Sequence, residues 1–192
     1  MRYCVFCGSR SGELPAFERS AVDMGRALVS SGAGLVYGGG RVGLMGTIAD
    51  AVLEAGGEVI GVIPRGLVNR ELAHVGLTEL RIVGSMHERK SVMAELSDGF
   101  ISLPGGFGTM EEFFETVTWS LLGIHRKACG LLNVAGYYDA LIALLDSFVH
   151  SGFATPEQRS LVLVDDDPLH LLHRLQVFEG PANIEWINDT NA

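Results

Sequence analysis

"GFISLPGGFGTMEEFFETVTW", residues 99–119, passes from an apolar run into a glycine-rich turn and then into an amphipathic stretch. Gly99–Leu103 reads as a buried strand, and Pro104 stops it because proline cannot donate to a sheet ladder. Gly105, Gly106 and Gly108 permit a tight turn with exposed backbone, and Thr109 has the side chain of a helix cap. The same grammar recurs along the chain. Tyr3–Cys7, Gly34–Tyr37, Glu58–Ile63, Ala128–Val134 and Leu161–Val164 are further strand candidates. Between them, Phe17, Ala21, Met24 and Leu28 recur at helical spacing, as do Leu141, Leu144, Leu145 and Phe148. Strands alternating with helices predict a doubly wound α/β domain, Rossmann-like, with a mostly parallel sheet and helices on both faces. The strands are short and rich in Val, Ile and Leu, as burial on both faces requires. Residues 1–180 are expected to form one domain, and "PANIEWINDTNA" (181–192) a loose tail on which Trp186 could dock.

Composition narrows the function classes. A chain of 192 residues, 47% hydrophobic and 19% charged, can bury one full core. A net charge of -9 argues against general nucleic-acid or anionic-membrane binding, which needs basic surface. No apolar run approaches the ~18 residues of a membrane span, and the N-terminus enters a strand without a signal pattern, so a cytoplasmic location is expected. Cys4 and Cys7 have redox or zinc spacing. On a strand, however, positions three apart face opposite ways, so buried thiols are the better reading, with Cys129 a third. His170 and His173 lack a third ligand of matching spacing and read as a solvated helix face, so no metal site is expected.

In a doubly wound sheet, chemistry collects at the C-terminal ends of the strands, near a change in strand order. Three glycine-rich stretches fall at such ends: Cys7-Gly8-Ser9, Gly38-Gly39-Gly40 and Pro104-Gly105-Gly106. Gly38, Gly40 and Gly43 also satisfy the dinucleotide spacing, but the acid that should bind a ribose at the far end of the next strand is absent. Glu58 lies at the wrong end. The run either lets backbone approach a smaller nucleotide or only allows tight strand–helix packing.

In "MHERK" (86–90), Arg89 begins an apolar helical stripe continued by Val92, Met93 and Leu96. It either snorkels to the surface or aims a guanidinium into the strand-end crevice. Lys90 lies about a quarter-turn away. Beyond the 105–109 turn, Glu111 and Glu112 set carboxylates beside an anion cradle. A capping box between Thr109 and Glu112, with Glu111 favouring the helix dipole, is one explanation. The other is a nucleoside monophosphate whose phosphate takes the N–H groups while a carboxylate faces the cationic sugar carbon of glycosidic cleavage.

"VYGGGRVGLMG" (36–46), "MHERK" (86–90), "LPGGFGTMEE" (103–112), "VTWSLLGIHRK" (117–127) and "GLLNVAGYYDALI" (130–142) resemble the Lonely Guy family of cytokinin riboside 5'-monophosphate phosphoribohydrolases. The likeness runs from the first strand to about Phe153. It implies a homodimeric Rossmann-like hydrolase that uses no cofactor and splits purine nucleoside 5'-monophosphates into base and ribose 5-phosphate. The family's catalytic pair falls on Arg89 and Glu112. Its ligand contacts fall on Met86, Lys90 and the loop Gly106, Phe107, Gly108, Thr109, Met110, Glu111 and Glu112, with Glu71 upstream and Thr118 downstream. Gly8, Ser9, Gly39, Gly40 and Gly105 join them from the strand-end reading. Thr118 shares the helical face of Glu111 rather than Glu112, so it serves another part of the ligand or the site of a dimer partner. Phe107 stands where the family often has tyrosine, and the stretch around Glu71 matches less regularly. Trp119, Leu121 and Leu122 suit a core or a subunit interface, and the likeness favours the interface. Two rivals remain: a decarboxylase using pyridoxal phosphate, for which only Lys90 and Lys127 exist, and a non-catalytic nucleotide carrier.

Overall fold

Strand–helix alternation is realised throughout the computed structural model, which describes residues 1–68 and 73–180. In chain order the elements are β1 (Arg2–Phe6), α1 (Pro15–Ser30), β2 (Gly34–Tyr37), α2 (Gly43–Glu54), β3 (Val59–Pro64), β4 (Glu79–Val83), α3 (Met86–Glu95), β5 (Gly99–Ser102), α4 (Phe107–Leu121), β6 (Ala128–Leu132), α5 (Asp139–His150), α6 (Pro156–Arg159), β7 (Val162–Asp165) and α7 (Pro168–Gln176). Short 3-10 turns lie at Arg65–Leu67 and Val134–Gly136. Glu71 and the expected tail with Trp186 lie outside the described residues.

The strands form one seven-stranded sheet in the order β4-β3-β2-β1-β5-β6-β7. Its ladders are all parallel, with Val5 opposite Tyr37 and Phe6 opposite Ser102 at the central pairings. This is the doubly wound α/β architecture. The six strands expected from apolar runs all form, with ends moved by a residue or two. The strand not foreseen is β4. It lies at the sheet edge, buries only Val83 fully and pairs Arg81 with Glu79 at 2.6 Å, so it lacks the continuous apolar run of a central strand.

Alternate residues of β1 enter different cores. Tyr3, Val5 and Cys7 pack with the buried faces of α1, α2 and α7, including Met24, Ile48 and Leu172. Cys4 and Phe6 pack with Met93, Phe113 and Leu145 from α3, α4 and α5. Cys4 and Cys7 therefore point to opposite faces, and both are free thiols, as is Cys129. In α5 the apolar stripe is only partly used: Leu145 is buried, whereas Leu144 is exposed. Strand order reverses between β1 and β5, which places a crevice beyond their C-terminal ends. No helix among the described residues is long and apolar enough to cross a membrane.

Candidate active site

Two loops meet at this reversal. The Gly8 N–H donates to Pro104 O at 3.0 Å, tying the turn after β1 to the turn after β5. A side chain at Gly8 would meet Arg10 O at 2.7 Å and Pro104 O at 3.4 Å, so the approach needs glycine.

The glycine turn enters α4 three residues earlier than the sequence suggested, with the cap at Gly106 instead of Thr109. Gly106 is the N-cap, with no side-chain cap, and Thr109 is already the third helical residue. The capping box between Thr109 and Glu112 is therefore not formed. Gly106 takes the cap position because a glycine backbone reaches φ -93° and ψ -149° without a side chain to place. The Thr109 side chain is buried, with its hydroxyl against Gly105. The first helical hydrogen bond runs from Met110 N to Gly106 O at 3.1 Å. The N–H groups of Phe107, Gly108 and Thr109 precede it and carry the positive end of the helix dipole. Side chains built at Gly106 or Gly108 would meet nothing within 4 Å, so this end of the helix is open.

Arg89 is placed by α3. Ser85 caps that helix by accepting from Glu88 N at 3.1 Å, and the Glu88 carboxylate accepts from Gly84 N at 2.7 Å. The Arg89 side chain does not snorkel outward; only 6% of the residue is exposed. Nε donates to Val62 O at 3.1 Å and Nη2 to Gly38 O at 3.3 Å, carbonyls near the ends of β3 and β2. Nη1 stands 3.4 Å from Glu112 Oε1. Nη2 occupies the space a side chain at Gly38 would need. Glu112 projects from α4 with its side chain 13% exposed.

Arg89, Glu112, Gly106, Phe107, Gly108 and Thr109 line a crevice of about 280 Å³ with Gly8 and Ser9. Met45 and Met86 supply an apolar wall, and Glu111 stands at the rim. Cys7 also borders it; burial, followed by the nearby charge of Glu112, pushes its thiol well above the ordinary range, so it stays protonated. Hydrogen-bond donors thus face one part of the crevice, and a guanidinium–carboxylate pair another. A second crevice of about 410 Å³ shares Gly8, Ser9, Gly106 and Phe107, and adds Gly105 and Tyr137.

Other expected contacts lie elsewhere. Lys90 Nζ bonds Glu111 at 2.7 Å and Glu115 at 2.8 Å beneath α4. Met110 packs against the core on the α3–α4 face. Gly39, at φ +76°, packs over Ile63 and Leu80, and Gly40 bridges to Ala73, so these two glycines support neighbouring chain rather than open the crevice. Thr118 is exposed on α4. Glu58 pairs with Arg2 at 2.7 Å beside the start of the strands, far from any ribose position of a dinucleotide site. His170 pairs with Asp165 at 2.9 Å, and no cluster of three or more metal-binding side chains occurs among the described residues.

Residues 45–175 match a family model described as possible lysine decarboxylase. A probable cytokinin riboside 5'-monophosphate phosphoribohydrolase of Oryza sativa subsp. japonica is 50% identical over 95% of this chain and 74% of its own. A cytokinin riboside 5'-monophosphate phosphoribohydrolase of Arabidopsis thaliana is 46% identical over 93% of this chain and 82% of its own. The chain belongs to the Lonely Guy family.

A molybdenum cofactor binding protein from Rippkaea orientalis and the molybdenum cofactor carrier protein of Chlamydomonas reinhardtii share the fold, each with a TM-score of 0.68 and 19% identity. They cover 91% and 92% of this chain, which covers 94% and 98% of theirs. The decarboxylase description finds no support in the lysines of this family member. Lys90 is held by two carboxylates, and Lys127 Nζ donates to Ala94 O at 2.6 Å. Neither lines the crevice, so Schiff-base chemistry has no lysine to start from there. Two features escaped the sequence reading. Met45, on α2, walls the crevice, and Gly38, expected to approach a nucleotide or to allow tight strand–helix packing, instead seats the Arg89 guanidinium.

Proposed function

We propose that the crevice hydrolyses the N-glycosidic bond of purine nucleoside 5'-monophosphates, with adenine or an N6-prenylated adenine as base, releasing the base and D-ribose 5-phosphate. The observation that carries this reading is the Glu112 carboxylate, 3.4 Å from Arg89 in a crevice that also exposes the amino end of α4. A carrier needs only the donors; the carboxylate is of use when the sugar becomes cationic.

In this mechanism the N–H groups of 106–109 hold the 5'-phosphate, which supplies remote binding energy. Glu112 faces the ribosyl carbon as the bond to the base lengthens, stabilising the oxocarbenium-like centre. Water adds its oxygen to that carbon and gives one proton to Glu112, which passes it to the departing base nitrogen, so the carboxylate is restored. Arg89 hydrogen-bonds the departing base. Met45 and Met86 flank the base side, and Lys90 acts through Glu111 at the rim. Replacing Glu112 by Gln is expected to lower turnover at least ~10²–10³-fold while AMP still binds. Near-wild-type turnover in a folded variant contradicts the assignment.

The proposed enzyme is a cytoplasmic homodimer with residues 1–180 as its catalytic domain. Leu122 and Ile124 are exposed at the end of α4, and Thr118 shares the face of Leu122 one turn away. That arrangement supports Thr118 serving the site of a partner copy. Sedimentation at micromolar concentration is expected to give twice the chain mass, and Leu122→Glu to give the monomer.

A further inference from the structure

Three successive carbonyls at the start of the glycine turn are each held by a different donor. Leu103 O accepts from the Tyr138 hydroxyl at 2.5 Å, Pro104 O from Gly8 N at 3.0 Å, and Gly105 O from the Tyr137 hydroxyl at 2.5 Å. Two adjacent tyrosines thus grip the carbonyls on either side of Pro104. The family likeness and the crevice lining give neither tyrosine a part in the reaction.

The geometry points to Tyr137 as a positioning residue that presets the phosphate-binding turn through the Gly105 carbonyl. This rests on the proposed function. In a trans peptide the C=O and the following N–H point in opposite directions. Holding Gly105 O on the Tyr137 side therefore turns Gly106 N–H away from Tyr137. Tyr137 and Gly105 line only the second crevice, whereas Gly106 lines both, so that N–H is turned towards the catalytic one. The constraint matters because Gly105 and Gly106 have the widest conformational freedom of any residues, and ordering them costs the most entropy.

The fold builds the clamp locally. After β6, Ala135 is the one non-glycine with positive φ among the described residues, at 51°, and Gly136 follows at 73°. This left-handed pair is a strained turn for alanine, and it delivers Tyr137 and Tyr138 side by side. Asn133 holds the turn by accepting from Tyr138 N at 2.7 Å and donating to Asp139 at 2.8 Å. The Tyr137 ring lies edge-on to Phe17 at 5.4 Å and to Tyr138 at 5.0 Å, so its hydroxyl is aimed by packing. The hydroxyls differ in removability. Tyr138 is 1% exposed, whereas Tyr137 is 42% exposed.

Tyr137→Phe removes one hydroxyl and keeps the ring contacts. Calorimetry with inorganic phosphate and with ribose 5-phosphate is expected to show binding about three- to tenfold weaker, the size of one lost hydrogen bond. KM for AMP should rise by the same factor, with kcat within about twofold. Binding of adenosine, which has no phosphate to hold, should be unaffected in the same calorimetry. A merely structural hydroxyl would move the melting midpoint and affect AMP and adenosine alike. The proposal is overturned if phosphate binding is unchanged, if AMP and adenosine binding weaken equally, or if the variant fails to fold. If wild type binds phosphate but cleaves no monophosphate, the proposed function fails, and the phosphate titration still decides the role of Tyr137.

Discussion

The turns after β2 and β5 are both glycine-rich, yet they present opposite electrostatic faces. At 38–40 the missing side chain of Gly38 is filled by the Arg89 guanidinium, and the Gly38 carbonyl accepts from it. At the start of the second turn the carbonyls of Leu103, Pro104 and Gly105 are taken by Tyr138, Gly8 and Tyr137, which leaves N–H groups at the open start of α4. The first turn is an acceptor surface that holds a cation; the second is a donor surface suited to an anion. Glycine is needed in both for its absent Cβ. Which backbone group faces the crevice decides what each turn can bind.

Removing the cation from the acceptor turn should have the largest effect. Arg89→Met is expected to cut turnover about 10²–10³-fold, and to destabilise the fold by about 1–3 kcal/mol because Gly38 O and Val62 O lose their donor. Steady-state kinetics and urea unfolding check the two parts. Full stability in this variant would break the claim that the first turn is built around the guanidinium.

Alanine in each turn separates their roles. Gly38→Ala must displace Arg89, and should cost about 10²-fold in turnover with about 1–3 kcal/mol of stability. Gly108→Ala projects into open space; its stability should stay within about 0.5 kcal/mol, while KM for AMP rises several-fold as the methyl intrudes on the phosphate. Equal behaviour of the two variants would erase the distinction.

Lys90 joins α3, which carries the cation, to α4, which carries the donors, through Glu111 and Glu115. Burial works to lower its pKa, but hydrogen bonds to Glu111 and Glu115 outweigh burial and raise it. A raised folded-state value means the tie is whole below the unfolded pKa of about 10.4 and fades as pH climbs through the folded value. Lys90→Met should cost under about 1 kcal/mol at pH 7, because Glu111 is largely exposed. The difference from wild type should shrink in strongly alkaline buffer, as melting at several pH values would record.

Much of this was legible in residue order. Apolar runs of central strands, the proline stop at 104 and the spacing of Arg89 with Met93 are local signals, and the elements formed where those signals lay. The edge strand β4 was hidden because Glu79 and Arg81 face solvent, so its alternation lacks a hydrophobic run. The start of α4 was misread because Thr109 has a capping side chain, whereas Gly106 takes the cap through backbone freedom. The Arg89–Glu112 contact, the seat at Gly38 and the reach of Tyr137 to Gly105 join positions 23, 51 and 32 residues apart, and only the folded sheet brings these together. No local spacing rule covers such distances.

The central claim is that one crevice breaks the bond between sugar and base in a nucleoside 5'-monophosphate. Chromatography after incubating the purified protein with AMP and with its N6-isopentenyl analogue tests it directly. Free base together with ribose 5-phosphate in equal amounts is the expected result. Both monophosphates recovered intact, under conditions where the protein is folded and binds them, would contradict it.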